Sequence, residues 1–191
     1  LDPKSVTLVD QRGNLLSASK DTSENLALYV DNHFDLAPTL TLVAGLQYVE
    51  ARRQRVDRFD DATDTSGKQD YDFTSPKLGV LWQATPRTQV YANLSRSAEA
   101  PTFGELNFTN VELSDTRAQR ATTLEVGSRG NRGALEWDVS VYRAELRNEF
   151  QFFALGNGNF AVTNADDTVH QGIEAGLGWT CARDLLAQGD R

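Results

Sequence analysis

Apolar residues recur with a period of two in seven separate segments of this chain, and few folds accept that pattern. Leu26, Leu28 and Val30 alternate with Ala27, Tyr29 and Asp31. Leu40, Leu42, Ala44, Leu46 and Tyr48 alternate with Thr41, Val43, Gly45 and Gln47. The rhythm returns at Leu78/Val80/Trp82, Val90/Ala92/Leu94, Leu124/Val126, Leu135/Trp137/Val139/Val141 and Ile173/Ala175/Leu177/Trp179. A helix cannot gather residues i, i+2 and i+4 on one face, whereas a strand must. The chain therefore reads as all-β and antiparallel, with about seven strands.

Alternation does not say which face meets water, but the connections do. Short turns are expected at Asp35–Thr39, Ala84–Thr88 and Gly130–Gly133, through Leu-Ala-Pro, Thr-Pro-Arg and Gly-Asn-Arg-Gly. Between them lie long polar stretches at Asp57–Asp70, Ser97–Arg120 and Phe153–Thr168. Short and long connections alternate strictly, the pattern of a transmembrane β-barrel with short periplasmic turns and long extracellular loops. Leu40–Phe59 and Ala134–Phe153 are long enough to project well beyond the roughly 9–11 tilted residues that cross a bilayer. Seven is an odd number, and bacterial single-chain barrels carry even numbers. We therefore expect part of a barrel: residues 1–23 an extracellular loop, 24–180 strands and loops, and 181–191 a periplasmic turn.

Composition narrows the function classes. Nineteen Lys and Arg against 27 Asp and Glu give a net charge of −8, the opposite of a nucleic-acid binder. Mean hydropathy is −0.47, and no run approaches the roughly 20 apolar residues of a transmembrane helix. A membrane barrel stays open, because only every second residue must face lipid. The chain has no Met, which reads as a mature product or a fragment. Cys181 is the single cysteine, and His33 and His170 are the only histidines. Thiolate clusters, disulfides and histidine-based catalysis have little to draw on.

Several motifs resemble the barrel of TonB-dependent outer-membrane receptors. Tyr71-Asp-Phe-Thr-Ser-Pro-Lys-Leu-Gly-Val-Leu-Trp82 leads to Val90-Tyr-Ala-Asn-Leu-Ser-Arg-Ser97 and Ala100-Pro-Thr-Phe-Gly-Glu-Leu106. Thr123–Gly127, Val141–Phe150 and His170–Glu174 follow in the same order as similar strands of that family. The likeness covers most of Glu24–Trp179. It implies a bacterial outer-membrane location and a binding and transport role, with neither an enzyme activity nor a cofactor. It also implies a metal chelate, in the first place a ferric siderophore, as ligand, outer-membrane lipid as surroundings, and TonB as a partner reached through an N-terminal part. Neither the family's plug domain nor its TonB box has a match in these residues.

Candidate ligand-binding residues follow from chemistry. If even-numbered residues of the second segment face lipid, Arg53, Arg55 and Asp57 point into the lumen. Guanidinium forks bind carboxylate, catecholate or phosphate oxygens, and serve equally in salt-bridge ladders. Tyr71, Phe103 and Phe108, with Phe73, Phe150, Phe152 and Phe153, lie at loop bases and suit either a stacking platform or an interfacial girdle. Six aspartates between Asp57 and Asp72 suggest Ca²⁺, but the EF-hand spacing fails and a solvated loop is the simpler reading. Glu125, Glu136, Asp138 and Glu174 are expected on the lumen side, with no acid–base pairing. Two other readings fit the pattern: a small complete outer-membrane barrel with a structural or adhesion role, or a soluble ligand-binding barrel that buries the Leu135/Trp137/Val139/Val141 face.

Overall fold

A computed structural model describes residues 18–59, 64–106, 116–156 and 159–181. Its elements are β1 (Ser19–Ala37), β2 (Leu40–Asp57), β3 (Gly67–Thr85), β4 (Thr88–Glu99), α1 (Phe103–Leu106), β5 (Gln119–Arg132), β6 (Leu135–Arg147), β7 (Phe150–Gly156), β8 (Asn159–Asn164) and β9 (Thr168–Trp179). Seven strands form one antiparallel sheet in the order β1-β2-β3-β4-β5-β6-β9, while β7 and β8 pair by themselves. Each neighbour in the main sheet is the next strand in sequence, save that the β7–β8 hairpin intervenes before β9.

The two-residue connections 38–39, 86–87 and 133–134 lie along one edge. Proline opens the first two, preset for the first central turn position, and a register shift precedes each, at Asp35/Ala37 and Gln83/Thr85. Gly133 opens the third with φ of 65°, the left-handed value that a tight hairpin requires there.

Register turns the period of two into a belt. One row runs across all seven strands as Phe34, Leu42, Val80, Ala92, Val126, Val141 and Ile173. The side chains on this face stay open: Leu28 is 60% exposed, Ile173 76% and Leu177 75%. An apolar surface of this extent is not left to water by a soluble protein. Trp82, Trp137 and Trp179, all the tryptophans of the chain, stand on this face toward the short-turn edge. That is the position of an interfacial aromatic anchor. Trp137 lies flat over Gly130, where a Cβ would come within 2.8 Å of the ring.

Two expectations are corrected. The segment read as Ala134–Phe153 is two elements: β6 stops at Arg147, and Asn148 turns the chain at φ of 56°. Asn tolerates that left-handed conformation, so Phe150–Phe153 enters the separate β7–β8 hairpin. The soluble-barrel reading also fails. It requires the Leu135/Trp137/Val139/Val141 face to be buried, yet Leu135 is 43% and Val141 48% exposed.

Candidate functional site

The buried part of the molecule lies on the opposite face, beyond the belt on the long-loop side. Ala51, Phe73 and Ala100 form a small core, with Val49, Tyr71 and Ala98 packed against it. Arg53 is next to Ala51 on the same face of β2 and is only 7% exposed. A buried guanidinium needs partners, and here backbone and side chain supply them. Nε donates to the Pro101 carbonyl at 3.0 Å; Nη1 donates to Asn25 Oδ1 at 2.9 Å and to the Arg52 carbonyl at 3.0 Å. One side chain thus ties β1, β2 and the segment after β4 together.

That segment is shaped locally. Thr102 caps α1, with Leu106 N–H donating to its carbonyl at 3.1 Å, while its own hydroxyl donates to Glu105 Oε2 at 2.8 Å. The same carboxylate oxygen accepts from the Thr102 N–H at 2.5 Å, the half of a capping box in which an acidic side chain reaches back to the first residue's amide. Leu106 and Pro101 are fully buried beneath it. Tyr71 reaches across and donates its hydroxyl to the Thr116 carbonyl at 2.8 Å. Asn164 joins the β7–β8 hairpin to the same region. Its amide nitrogen donates to the Arg117 and Asn148 carbonyls at 2.9 and 2.8 Å, and its Oδ1 accepts from the Arg117 N–H.

The first long connection is held by Asp57, whose carboxylate accepts from Phe59 N–H, Thr65 N–H and the Thr65 hydroxyl at 2.8, 3.0 and 2.6 Å. These bonds, the Thr65 hydroxyl first, hold its pKa from the ordinary 3.8 down to about 2. Asp64 caps Ser66 N–H in the same loop. Asp70 instead pairs with Arg52 and Lys68. Asp57, Asp64 and Asp70 are therefore engaged with the loop and its neighbours, and Asp60 and Asp61 lie outside the described residues.

Nearer the short turns, the inward face is polar and its long side chains lie across glycines. Lys77 crosses Gly45 to meet Asp31. Tyr91 crosses Gly127, where a Cβ would fall 2.4 Å from the ring, and donates to Glu125 at 3.3 Å. Arg129 stacks over the same ring. Glu125, Asp138 and Glu174 share this wall around Ser140, the side expected for them.

The geometry gathers three of the five candidate ligand residues. Arg53 is at the buried node, Tyr71 packs beside it, and Phe103 opens the helical turn that follows Arg53's partner Pro101. Arg55 shares the inward face but pairs with Asp21 through two bonds of 2.7 and 2.6 Å. Phe108 lies outside the described residues. Tyr71 and Phe73 face inward, so they form no girdle; the tryptophans at the other edge do. The tie formed by Pro101 and Asn164 escaped sequence reading, although an Asn closing a short apolar run and a Pro after a strand are both turn signals.

A belted antiparallel meander with short turns on one edge and structured long connections on the other is the wall of an outer-membrane β-barrel. Within that class, the chain belongs to the TonB-dependent receptors: the family described as TonB dependent receptor-like, beta-barrel, matches residues 2–189. These barrels reside in the bacterial outer membrane and are transporters rather than enzymes. Among solved structures, the chain is similar to the copper transporter OprC, at 17% identity and TM-score 0.72, over 85% of this chain and 26% of that one. It is similar to the ferric yersiniabactin uptake receptor FyuA from Yersinia pestis, at 17% identity and TM-score 0.67, over 87% and 26%. The ferric citrate transporter FecA gives 22% identity and TM-score 0.66, over 84% and 23%. The chain thus spans about a quarter of the length of these structures. Family membership displaces the small complete adhesion barrel considered from the sequence.

Proposed function

We propose that this chain forms part of the barrel wall of a receptor that takes up a metal chelate, in the first place a ferric siderophore, with energy supplied through TonB. The observation that carries the reading is the division of labour between faces. One face is an apolar belt for lipid; the other is polar and leads, at its loop end, to a mouth braced by Arg53. FyuA and FecA, whose folds this one shares, carry ferric ligands, which favours iron. The copper role of OprC is the competing possibility.

In this proposal Arg53 is a positioning residue. It fixes Pro101 and, through it, Phe103, while Arg55, Tyr71 and Phe103 flank the mouth where an anionic or aromatic chelate enters. Phe108 belongs with them by its place in the same connection. Glu125, Asp138 and Glu174 keep the passage below wetted. Transport is binding and gated release, so nothing along the wall has to exchange covalent bonds.

Growth and uptake under iron starvation test this. Cells lacking the parent receptor should lose accumulation of one radioactive ferric siderophore, and plasmid-borne receptor should restore it. Unchanged iron uptake across a panel of ferric chelates, with a defect in copper accumulation alone, would replace iron by copper.

A further inference from the structure

The β7–β8 hairpin has no strand ladder to the barrel wall. β6 leaves the main sheet at Arg147, β9 enters it at Thr168, and β7 and β8 pair only with each other. Individual bonds at its base therefore hold the hairpin in place. Most of them are neutral. Asn164 grips the Arg117 backbone, Phe150 N–H donates to Gln119 Oε1 at 3.1 Å, and Ala165 N–H closes the base on the Glu149 carbonyl at 2.7 Å.

The charged tie is made by Glu149. Thr168 and His170, two positions apart on β9, stand on the same face opposite Leu146 and Ala144, and both converge on its carboxylate. The Thr168 hydroxyl donates to Oε2 at 2.5 Å, and His170 Nε2 lies 3.2 Å from Oε1. The Thr168 hydroxyl first, and then His170, hold the Glu149 carboxyl below its ordinary range. Glu149 is thus already ionised at mildly acidic pH.

One side of this contact can change its charge. Neither β7 nor β8 contains a titratable residue. The charged neighbours are Arg143, Glu145 and Arg147 on β6, Asp166 and Asp167 before β9, and Arg117 before β5. Histidine alone among these residue types changes charge between pH 5 and 8. An imidazolium gives Glu149 a charge-assisted bond, roughly twice as strong as a neutral one. A neutral imidazole keeps one proton on either nitrogen, and one of the two tautomers turns a lone pair toward the carboxylate. The other ion pair at the base, Arg147 with Asp167, is 3.9 Å long and more than three-quarters exposed, too loose to replace the first.

The hairpin's position bears on the mouth, because β8 lies against α1 and α1 follows directly on Arg53's partner Pro101. We propose that Glu149 and His170 form a proton-operated clasp: imidazolium at His170 holds the β7–β8 hairpin down beside the mouth, and its deprotonation frees the hairpin to swing about Asn148. The clasp is closed in acidic surroundings and loosens as pH rises. It goes beyond the uptake reading and does not depend on which chelate is carried.

The test uses the full receptor in lipid vesicles, in a Cys181→Ser background, with nitroxides at position 74 on β3 and position 151 on β7. Pulsed spin-resonance spectroscopy reads the distance between them. A closed hairpin should give one narrow distance and an open one a second. From about pH 5.5 to about pH 8.5 the ratio of closed to open should fall about threefold, as expected for one half-exposed ion pair. His170→Gln keeps a donor but does not titrate, so its ratio should be the same at both pH values. Glu149→Gln should remove the pH dependence as well. Thr168→Val should lower the ratio at both pH values and keep the threefold change. His170→Gln decides alone if Glu149→Gln does not assemble, since its side chain is half-exposed. A wild-type ratio indifferent to pH, or the wild-type pH dependence kept in His170→Gln, would overturn the proposal.

Discussion

Arg52, Arg53 and Arg55 are the same residue type in three settings, and strand parity separates them. Arg52 faces outward, more than half exposed, between Glu24 and Asp70. Arg53 faces inward and is spent on the backbone and side chain of three segments. Arg55 faces inward beside Asp21, at the rim. Hydrogen bonds from a buried charged group contribute more than surface ion pairs do, so the three should not respond alike. In the full receptor, Arg53→Ala should lower stability by about 2–3 kcal/mol, since Pro101 and Arg52 carbonyls and Asn25 lose a donor in a dry site. Arg52→Ala should leave the unfolding midpoint unmoved. Arg53→Lys should recover only part of the loss, because an ammonium cannot reproduce the Nε and Nη1 directions together. Denaturant unfolding of the three variants in lipid vesicles measures this; equal midpoints for Arg53→Ala and wild type would remove the brace.

Among elements, the long connections differ from the turns in what fixes them. The turns need only Pro38, Pro86 and Gly133. The connection after β2 depends on one ionised group, Asp57. A carboxylate whose pKa is lowered by folding contributes stability that is fully present above the unfolded value and lost as pH falls through the folded one. Its window therefore runs from 3.8 toward about 2. Hydrogen exchange at the Thr65 amide should stay protected through mildly acidic pH and accelerate, beyond the intrinsic rate, only within that window. Asp57→Asn should expose the amide already at neutral pH and abolish the acid transition. A wild-type profile in the Asn variant would show that the loop is held elsewhere.

Strands and turns were legible because their signals are local: alternation, Pro and Gly speak within a few residues. The seven-stranded sheet followed from them. The β7–β8 hairpin did not, since Phe150–Phe153 continues the apolar run of β6 and the break at Asn148 is a matter of one dihedral angle. The candidate site was legible in part. Parity alone put Arg53 and Arg55 on the inward face, but the partners of Arg53 at Pro101 and Asn25 lie 48 and 28 positions away. No spacing rule reaches that far.

At the scale of the whole molecule, a mean hydropathy of −0.47 coexists with a continuous apolar belt, because the belt takes only alternate residues of the strands. Its exposed Leu, Val, Ile and Trp side chains are accounted for by lipid on one side, while water wets the other. The central claim is this assignment of faces. It is tested most directly on β9, by placing single nitroxide labels at 173, 174, 175 and 176 of the membrane-embedded receptor in a Cys181→Ser background. Collision with oxygen, which concentrates in lipid, should be high at 173 and 175 and low at 174 and 176, and collision with a water-soluble nickel chelate should show the reverse. Uniform accessibility along the strand, or the alternation inverted, would contradict the account.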